Sequence, residues 1–267
     1  MATERIVMTV GVSSACFFPC DTLQSVQKLA SLGVEYTEIF MGSHSECSGQ
    51  YLKQLCSAKD NYGISVTSVH PFTSGYEYIL LFSGYERRID DTVEYYKRYF
   101  SAAGELGAKY VVFHGDNKKA AFVGVERYAE IFSRLDGVAR SFGVRLSQEN
   151  VSSSHIGSGE NIRALKALLP DICFTFDIKQ AYRGGYDPFD ILHSMGQSVR
   201  CVHLNDWKDG QCRLPCRGVC DLSAVVNTIQ SYGNDVPYII EVYRSNFEDD
   251  CEIMSSRLDF LKLFSKE

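Results

Sequence analysis

No stretch of this sequence approaches the roughly 18 uninterrupted apolar residues that a membrane-spanning helix requires. The opening residues, MATERIVMTVG, contain no long apolar segment of the kind that directs secretion. An excess of basic charge is also missing. Lys and Arg total 27 against 33 Asp and Glu, a net charge of −6, whereas a domain built to bind nucleic acid is usually basic. No linker, low-complexity tract or domain boundary interrupts the chain. These absences count against membrane and nucleic-acid roles, without excluding a local basic patch, and lead to the expectation of a cytoplasmic protein. No glycine-rich phosphate fingerprint follows the first apolar run, which argues against an open nucleotide-binding sheet.

Cysteine is plentiful, with ten residues. In a reducing compartment these are not expected to form stable disulfides. Cys212, Cys216 and Cys220 lie four apart and invite a metal-cluster reading. However, structural zinc sites usually pair such cysteines with a second, separate pair. Pro215 and Gly218 break the run and no second pair is clear, so unpaired loop thiols are expected.

The 267 residues are 45% hydrophobic, enough for one large core. Short β-branched and aromatic runs alternate along the chain with longer segments of helical periodicity. The expected strands are Ile6–Val12, Val34–Phe40, Ile64–His70, Lys109–His114, Val144–Glu149, Ile172–Asp177, Val199–Leu204 and Tyr238–Tyr243. Their near-continuous apolar character suits parallel strands buried on both faces. Asp21 is placed to cap a helix carrying Leu23, Val26, Leu29 and Ala30, with Gln24 at the capping-box position. Asp221 is placed to cap Leu222–Tyr232. Gly33, Gly63, Gly107 and Gly143 follow helical runs just before the next strand, where a left-handed residue ends a helix. Eight units in 267 residues, about 33 each, fit βα repeats. The expected architecture is a (β/α)₈ barrel, a single α/β domain over residues 1–267.

The ends of these runs carry the chemistry. Glu38 lies in the second, His70 ends the third, His114 the fourth, Glu149 the fifth and Asp177 the sixth. His203 lies in the seventh and Glu241 in the eighth. A buried carboxylate or imidazole is costly unless paired or ligated, and in a barrel these ends converge on the mouth where active sites lie. Any one of them alone reads as a hydrogen-bonded structural residue or a helix cap. Three carboxylates and an imidazole on four successive strands instead make a hard, oxygen-rich site that suits Mn²⁺, Mg²⁺ or Co²⁺, with Zn²⁺ also compatible.

The segments LSQEN, FTFDIKQA, VHLND and IIEVY, in this order, resemble the xylose-isomerase-like superfamily of sugar isomerases and epimerases. That superfamily also contains endonuclease IV-type DNA repair enzymes. The resemblance covers nearly the whole chain and implies one divalent metal, Mn²⁺ first, held by Glu149, Asp177, His203 and Glu241. It further implies that Glu149 and Glu241 act as proton-transfer residues. Two departures stand out. The family commonly has a histidine three residues after the sixth-strand aspartate, where this chain has Gln180. The RLPCRGVCDL segment resembles a family loop that usually reads Pro-Gly, where this chain has Pro215-Cys216. The DIKQA form resembles a branch described only as sugar phosphate isomerases or epimerases.

The implied activity is a metal-dependent sugar or sugar-phosphate isomerase or epimerase that removes a proton next to a carbonyl through a metal-stabilised enediolate. A dehydratase or lyase on a polyol or keto-sugar needs the same chemistry. An endonuclease IV-like enzyme is disfavoured by Gln180 and the net acidity. The expected partner is a small-molecule sugar or sugar phosphate, without nucleic acid or membrane, and assembly into a homo-oligomer is compatible with this reading. The expected substrate contacts are His70, His114, Lys179, Gln180, Asp206 and Arg217. The histidines could equally satisfy buried backbone groups, and Lys179 could be solvated. Continued strand geometry would aim Lys179 to the same side as Asp177. Lys208 and Arg213, with Lys179 and Arg217, are candidates to hold a phosphate or carboxylate, and Phe17, Phe72 and Trp207 to wall a sugar.

Overall fold

Eight of the apolar runs pair as parallel strands around a closed barrel in a computed structural model that describes residues 8–265. In chain order the elements are β1 (Val10–Ser13), α1 (Thr22–Ser31), β2 (Tyr36–Met41), α2 (Gly49–Tyr62), β3 (Ser65–Pro71), α3 (Glu77–Leu80), α4 (Glu86–Leu106) and β4 (Tyr110–Phe113). They continue with α5 (Val125–Ser141), β5 (Arg145–Glu149), α6 (Gly159–Leu168), β6 (Cys173–Asp177), α7 (Ile178–Arg183), α8 (Pro188–Met195) and β7 (Val199–Leu204). The last elements are β8 (Asp206–Lys208), β9 (Gln211–Arg213), α9 (Leu222–Ser231), β10 (Tyr238–Ile240) and α10 (Asp250–Lys262). The barrel closes where β1 pairs with β10, Val12 opposite Ile240. Among the described residues no helix is long and apolar enough to cross a membrane.

The strands are shorter than the apolar runs. Residues 6 and 7 of the expected first strand lie outside the described residues. The fourth ladder stops before His114, and the eighth ends at Ile240, one residue before Glu241. The helices follow their periodicity. Along α4, Ile89, Val93, Tyr96, Phe100 and Ala103 form one buried stripe. Asp21 caps α1 by accepting from the Leu23 and Gln24 amides, and Asp221 caps α9 through the Ala224 amide. Gln24 does not complete a capping box. Its side-chain oxygen instead accepts from the Cys20 thiol at 3.4 Å.

Inside the barrel the strands are not uniformly apolar. Ser147 and Thr175 share a hydrogen bond of 2.7 Å. Glu38 of β2 reaches His203 of β7 at 3.2 Å, although those strands are not neighbours, so this contact crosses the lumen. Apolar residues such as Leu146, Phe174, Phe176, Val202 and Leu204 belong to the hydrophobic core. One unexpected element is the β8–β9 hairpin, whose turn at Asp209-Gly210 places both residues at positive φ, 54° and 72°. An Asp-Gly pair between two short runs is the usual signature of such a turn.

Candidate metal centre

The site is assembled from strand ends, and two asparagines set those ends against each other. Asn150 follows Glu149. Its Oδ1 accepts from the Asp177 amide at 2.7 Å and its Nδ2 donates to the Asp177 carbonyl at 2.9 Å. Asn205, two residues beyond His203, donates to Asp177 Oδ1 at 3.1 Å and accepts from the Lys179 amide at 2.7 Å. These clamps hold β5, β6 and β7 in register at the mouth. Asp177 also caps α7, with Oδ1 accepting from the Gln180 amide at 3.2 Å, which leaves Oδ2 for the lumen.

Four candidate ligand atoms converge there. His203 Nδ1 lies 3.2 Å from Glu241 Oε2, 3.6 Å from Asp177 Oδ2 and 3.7 Å from Glu149 Oε2. One ligand atom from each of these four residues falls within 4.8 Å of all the others. A cation bonded at about 2.0–2.3 Å to each would span such separations.

The interior of the cluster shows that this donor set fits a cation. Glu149 Oε2 and His203 Nδ1 are buried and have no hydrogen-bond partner. Unpaired buried polar atoms are costly and rare, and both belong to the converging set. His203 Nε2 faces Glu38 Oε2, and Glu38 also accepts from Ser68 Oγ at 2.7 Å and Ser13 Oγ at 3.3 Å. An ionised carboxylate only accepts, so Nε2 carries the proton and Nδ1 is the nitrogen aimed at the cluster.

The electrostatics agree. Burial pushes the Glu149 carboxyl up, but His114 and His203 outweigh it and hold the group well below its ordinary value. Glu241 is pushed up by burial and pulled well below its ordinary value by His203 and Lys179. Burial lowers His203, yet Glu241, Glu38 and Glu149 carry it well above the usual imidazole range. The carboxylates are therefore held ionised and draw positive charge onto His203, charge that a bound cation would supply in place of the Nδ1 proton.

A second candidate ligand group shares Glu149. His114 Nε2 lies 3.1 Å from Glu149 Oε2 but not in hydrogen-bonding orientation, His70 Nε2 lies 3.7 Å from the same oxygen, and the two Nε2 atoms are 3.1 Å apart. Burial lowers His70, but Glu149, Glu38 and Glu241 together raise it to about 9. His114 is anchored through its own backbone, whose amide donates to Glu77 Oε2 at 2.8 Å.

Above the cluster opens a cavity of about 340 Å³ lined by Glu149, Glu241, His70, His114, Lys179 and Gln180, with Phe18, Phe40 and Tyr243 as aromatic walls. The expected aromatic residues lie elsewhere. Phe17 is buried against Phe247, Phe72 packs on the core and Trp207 stacks on Tyr182. Two expected substrate contacts are also displaced. Asp206 is a buried loop staple, accepting from the Trp207, Gly218 and Cys220 amides at 2.8, 2.8 and 3.0 Å. Arg217 pairs with Asp259 at 2.6 Å and, with Lys208 and Arg213, lines a separate surface pocket. Of the four expected cations, Lys179 alone lines the central cavity. It does so from a helix rather than from an extended strand, because the chain enters α7 directly after Asp177. Gln180 accepts from Ser152 N and Oγ at 3.1 and 2.9 Å. All ten cysteines are unpaired, and among the described residues none joins a candidate metal group.

Glu38 belongs to the strand-borne set visible in the sequence but its partnership with His203 does not follow from it, and Glu77, Asn150 and Asn205 carry no expectation there. The signal for the asparagines was available, since each sits within a segment, LSQEN or VHLND, that already carries a ligand.

A model of the xylose isomerase-like TIM barrel family matches residues 26–263, and the chain belongs to that family. Over 276 aligned residues it is 22% identical to an uncharacterized protein of Methanocaldococcus jannaschii, covering 97% of this chain and 92% of that one. A crystal structure of a D-tagatose 3-epimerase-like protein superposes with a TM-score of 0.76 at 21% identity, covering 96% and 98% of the two chains. The IolI protein with a bound zinc atom superposes with a TM-score of 0.77 at 15% identity, covering 97% and 100%. At these identities the structural likeness establishes the fold.

Proposed function

We propose that this protein is a metal-dependent sugar isomerase or epimerase that moves a proton at the carbon next to a carbonyl. The observation carrying this reading is that Glu149, at the end of β5, and Glu241, just past β10, turn Oε2 toward one ligand cluster while both line the same cavity. The contacts that both glutamates make with His, Lys and each other's neighbours fall on Oε2. Oε1 of each is thus the oxygen left to accept and return a proton, one glutamate on each side of a substrate lying between them. Glu149, Asp177, His203 and Glu241 would hold the ion, Mn²⁺ first, and the ion would polarise the carbonyl and adjacent hydroxyl of the substrate. His70 and His114 would donate to substrate hydroxyls, and Lys179 or Gln180 would replace the family's missing histidine as a substrate contact. Phe18, Phe40 and Tyr243 would exclude water from the sugar face. The epimerase-like and zinc-bound neighbours support this reading. With Arg217, Lys208 and Arg213 outside the cavity, an unphosphorylated sugar fits it better than a sugar phosphate.

The test is turnover of ketoses in D₂O by the wild type and by Glu149→Gln and Glu241→Gln. Gln retains a ligating oxygen but cannot take a proton at neutral pH. Each variant should bind Mn²⁺ yet lose turnover by roughly 10²–10⁴-fold, and the wild-type product should carry solvent deuterium next to the carbonyl. Full activity in both variants, or a deuterium-free product, would overturn proton transfer in favour of a hydride shift or a noncatalytic barrel.

The His70–His114–Glu149 group supports a second reading, a hydrolase in which two cations share Glu149. Two bound Mn²⁺ per chain together with cleavage of abasic DNA would favour it. One ion and no cleavage would dismiss it.

A further inference from the structure

The oxygens best placed to ligate a cation already hold one. The turn from β6 into α7 brings Lys179 back over Asp177, and its Nζ bonds Asp177 Oδ2 and lies 2.5 Å from Glu241 Oε2. These are the same two oxygens that face His203 Nδ1 at 3.6 and 3.2 Å. The Lys179 side chain is only 4% exposed, so its charge is committed to the site and not to solvent. The lysine accounts for only half of the cluster, because Glu149 Oε2 and His203 Nδ1 remain without a hydrogen bond. A divalent ion on all four ligand atoms would place two like charges in contact, and at such range in a low-dielectric interior the repulsion is strong. The lysine has somewhere to go. It already lines the cavity, and the ring of Tyr243, which is 47% exposed, has its centroid 6.0 Å from Nζ.

We propose that Lys179 is a resident cation of the metal site. It neutralises Asp177 and Glu241 when no ion is bound, and an arriving ion displaces it along the Tyr243 wall into the cavity, where its ammonium becomes a donor to an electron-rich oxygen of the substrate. Loading the ion and completing the substrate pocket are then one event. This inference rests on the metal-dependent reading above and goes beyond it, since it makes the ion compete with a side chain of this chain.

Calorimetric titration of EDTA-stripped wild type and Lys179→Met with Mn²⁺ alone tests it without any substrate. Methionine keeps the length and removes the charge. The variant is expected to bind Mn²⁺ roughly 5–150-fold more tightly, the usual range for coupling between two ligands. Its metal-free form should melt below the metal-free wild type, because the carboxylates lose their counter-charge, and the gap should close at saturating Mn²⁺. Crystals of the wild type grown with EDTA and with Mn²⁺ provide an independent reading if the variant does not fold, with Nζ expected on Glu241 in the first and off it in the second. Equal or weaker Mn²⁺ binding by the variant, or Nζ unmoved in the loaded crystal, overturns the inference and leaves the metal site standing. Failure of both proteins to bind Mn²⁺ overturns the inference and the metal-dependent reading together.

Discussion

Glu38 makes a demanding test of how the ligand set is oriented. It is fully buried, lies across the lumen from β7, and accepts from Ser13, Ser68 and His203 Nε2 at 3.3, 2.7 and 3.2 Å. Burial pushes its carboxyl up, but the charge and hydrogen bond of His203 and the charge of His70 together outweigh burial and keep it lowered. Glu38→Gln keeps the shape and removes the charge. The glutamine oxygen can still accept from Nε2, but the ionised acceptor is gone, and the ring of His203 is less firmly held with Nδ1 inward. Changing an outer partner of a ligating histidine typically costs about 10–100-fold in metal affinity, or about 1.4–2.7 kcal/mol. The metal-free protein should also lose on the order of 1 kcal/mol, the difference between a hydrogen bond to an ionised and to a neutral acceptor, and thus melt a few degrees lower in a chain of this size. Mn²⁺ titration calorimetry gives the first number and a thermal melt in EDTA the second. Ser68→Ala removes one donor to Glu38 and leaves the His203 bond, so its effect on Mn²⁺ binding should be smaller. If Glu38→Gln binds Mn²⁺ within a factor of two of wild type, Glu38 does not orient His203.

Three further outcomes follow from named contacts. Adding Mn²⁺ to EDTA-treated protein should raise the melting temperature by mass action, about 2.7 kcal/mol of stabilisation at a hundredfold excess over Kd, and no shift at saturation would count against a metal centre. Glu77 is buried and accepts from Tyr96 and from the His114 and Gly115 amides, with burial pushing its carboxyl up to about 8 from 4.5. The folded state then holds a proton that the unfolded state releases, so this contribution to stability is full below about pH 4.5 and is lost as pH rises through about 8. Glu77→Gln should flatten the fall in melting temperature across that window, and parallel profiles for the two proteins would refute it. Cys216 holds φ at +61°, a conformation that costs a residue with a Cβ on the order of 1–2 kcal/mol. Allowing for the extra freedom of glycine in the unfolded chain, Cys216→Gly should stabilise by about 0.5–1 kcal/mol without changing Mn²⁺ binding, and a lower melting temperature would refute the strain.

The chain order alone determined the eight βα units, the helix caps at Asp21 and Asp221 and the glycines that close four helices at positive φ. These depend on periodicity and on backbone conformations that only neighbouring residues influence. It also singled out Glu149, Asp177, His203 and Glu241, because a charged group at the end of an apolar strand is conspicuous wherever the strand lies. The tertiary structure decided what those residues face. Only barrel closure puts Glu38 behind His203, since the two are 165 residues apart and on strands that do not pair. Only the turn into α7 returns the Lys179 ammonium to the ligand oxygens. The same holds for the losses. Asp206 and Arg217 sit in loops at the mouth by sequence, but the loop spends Asp206 on its own amides and Arg217 on Asp259. Position along a strand is set locally by a period of two, whereas partnership across a lumen is set by the register and closure of all eight strands at once.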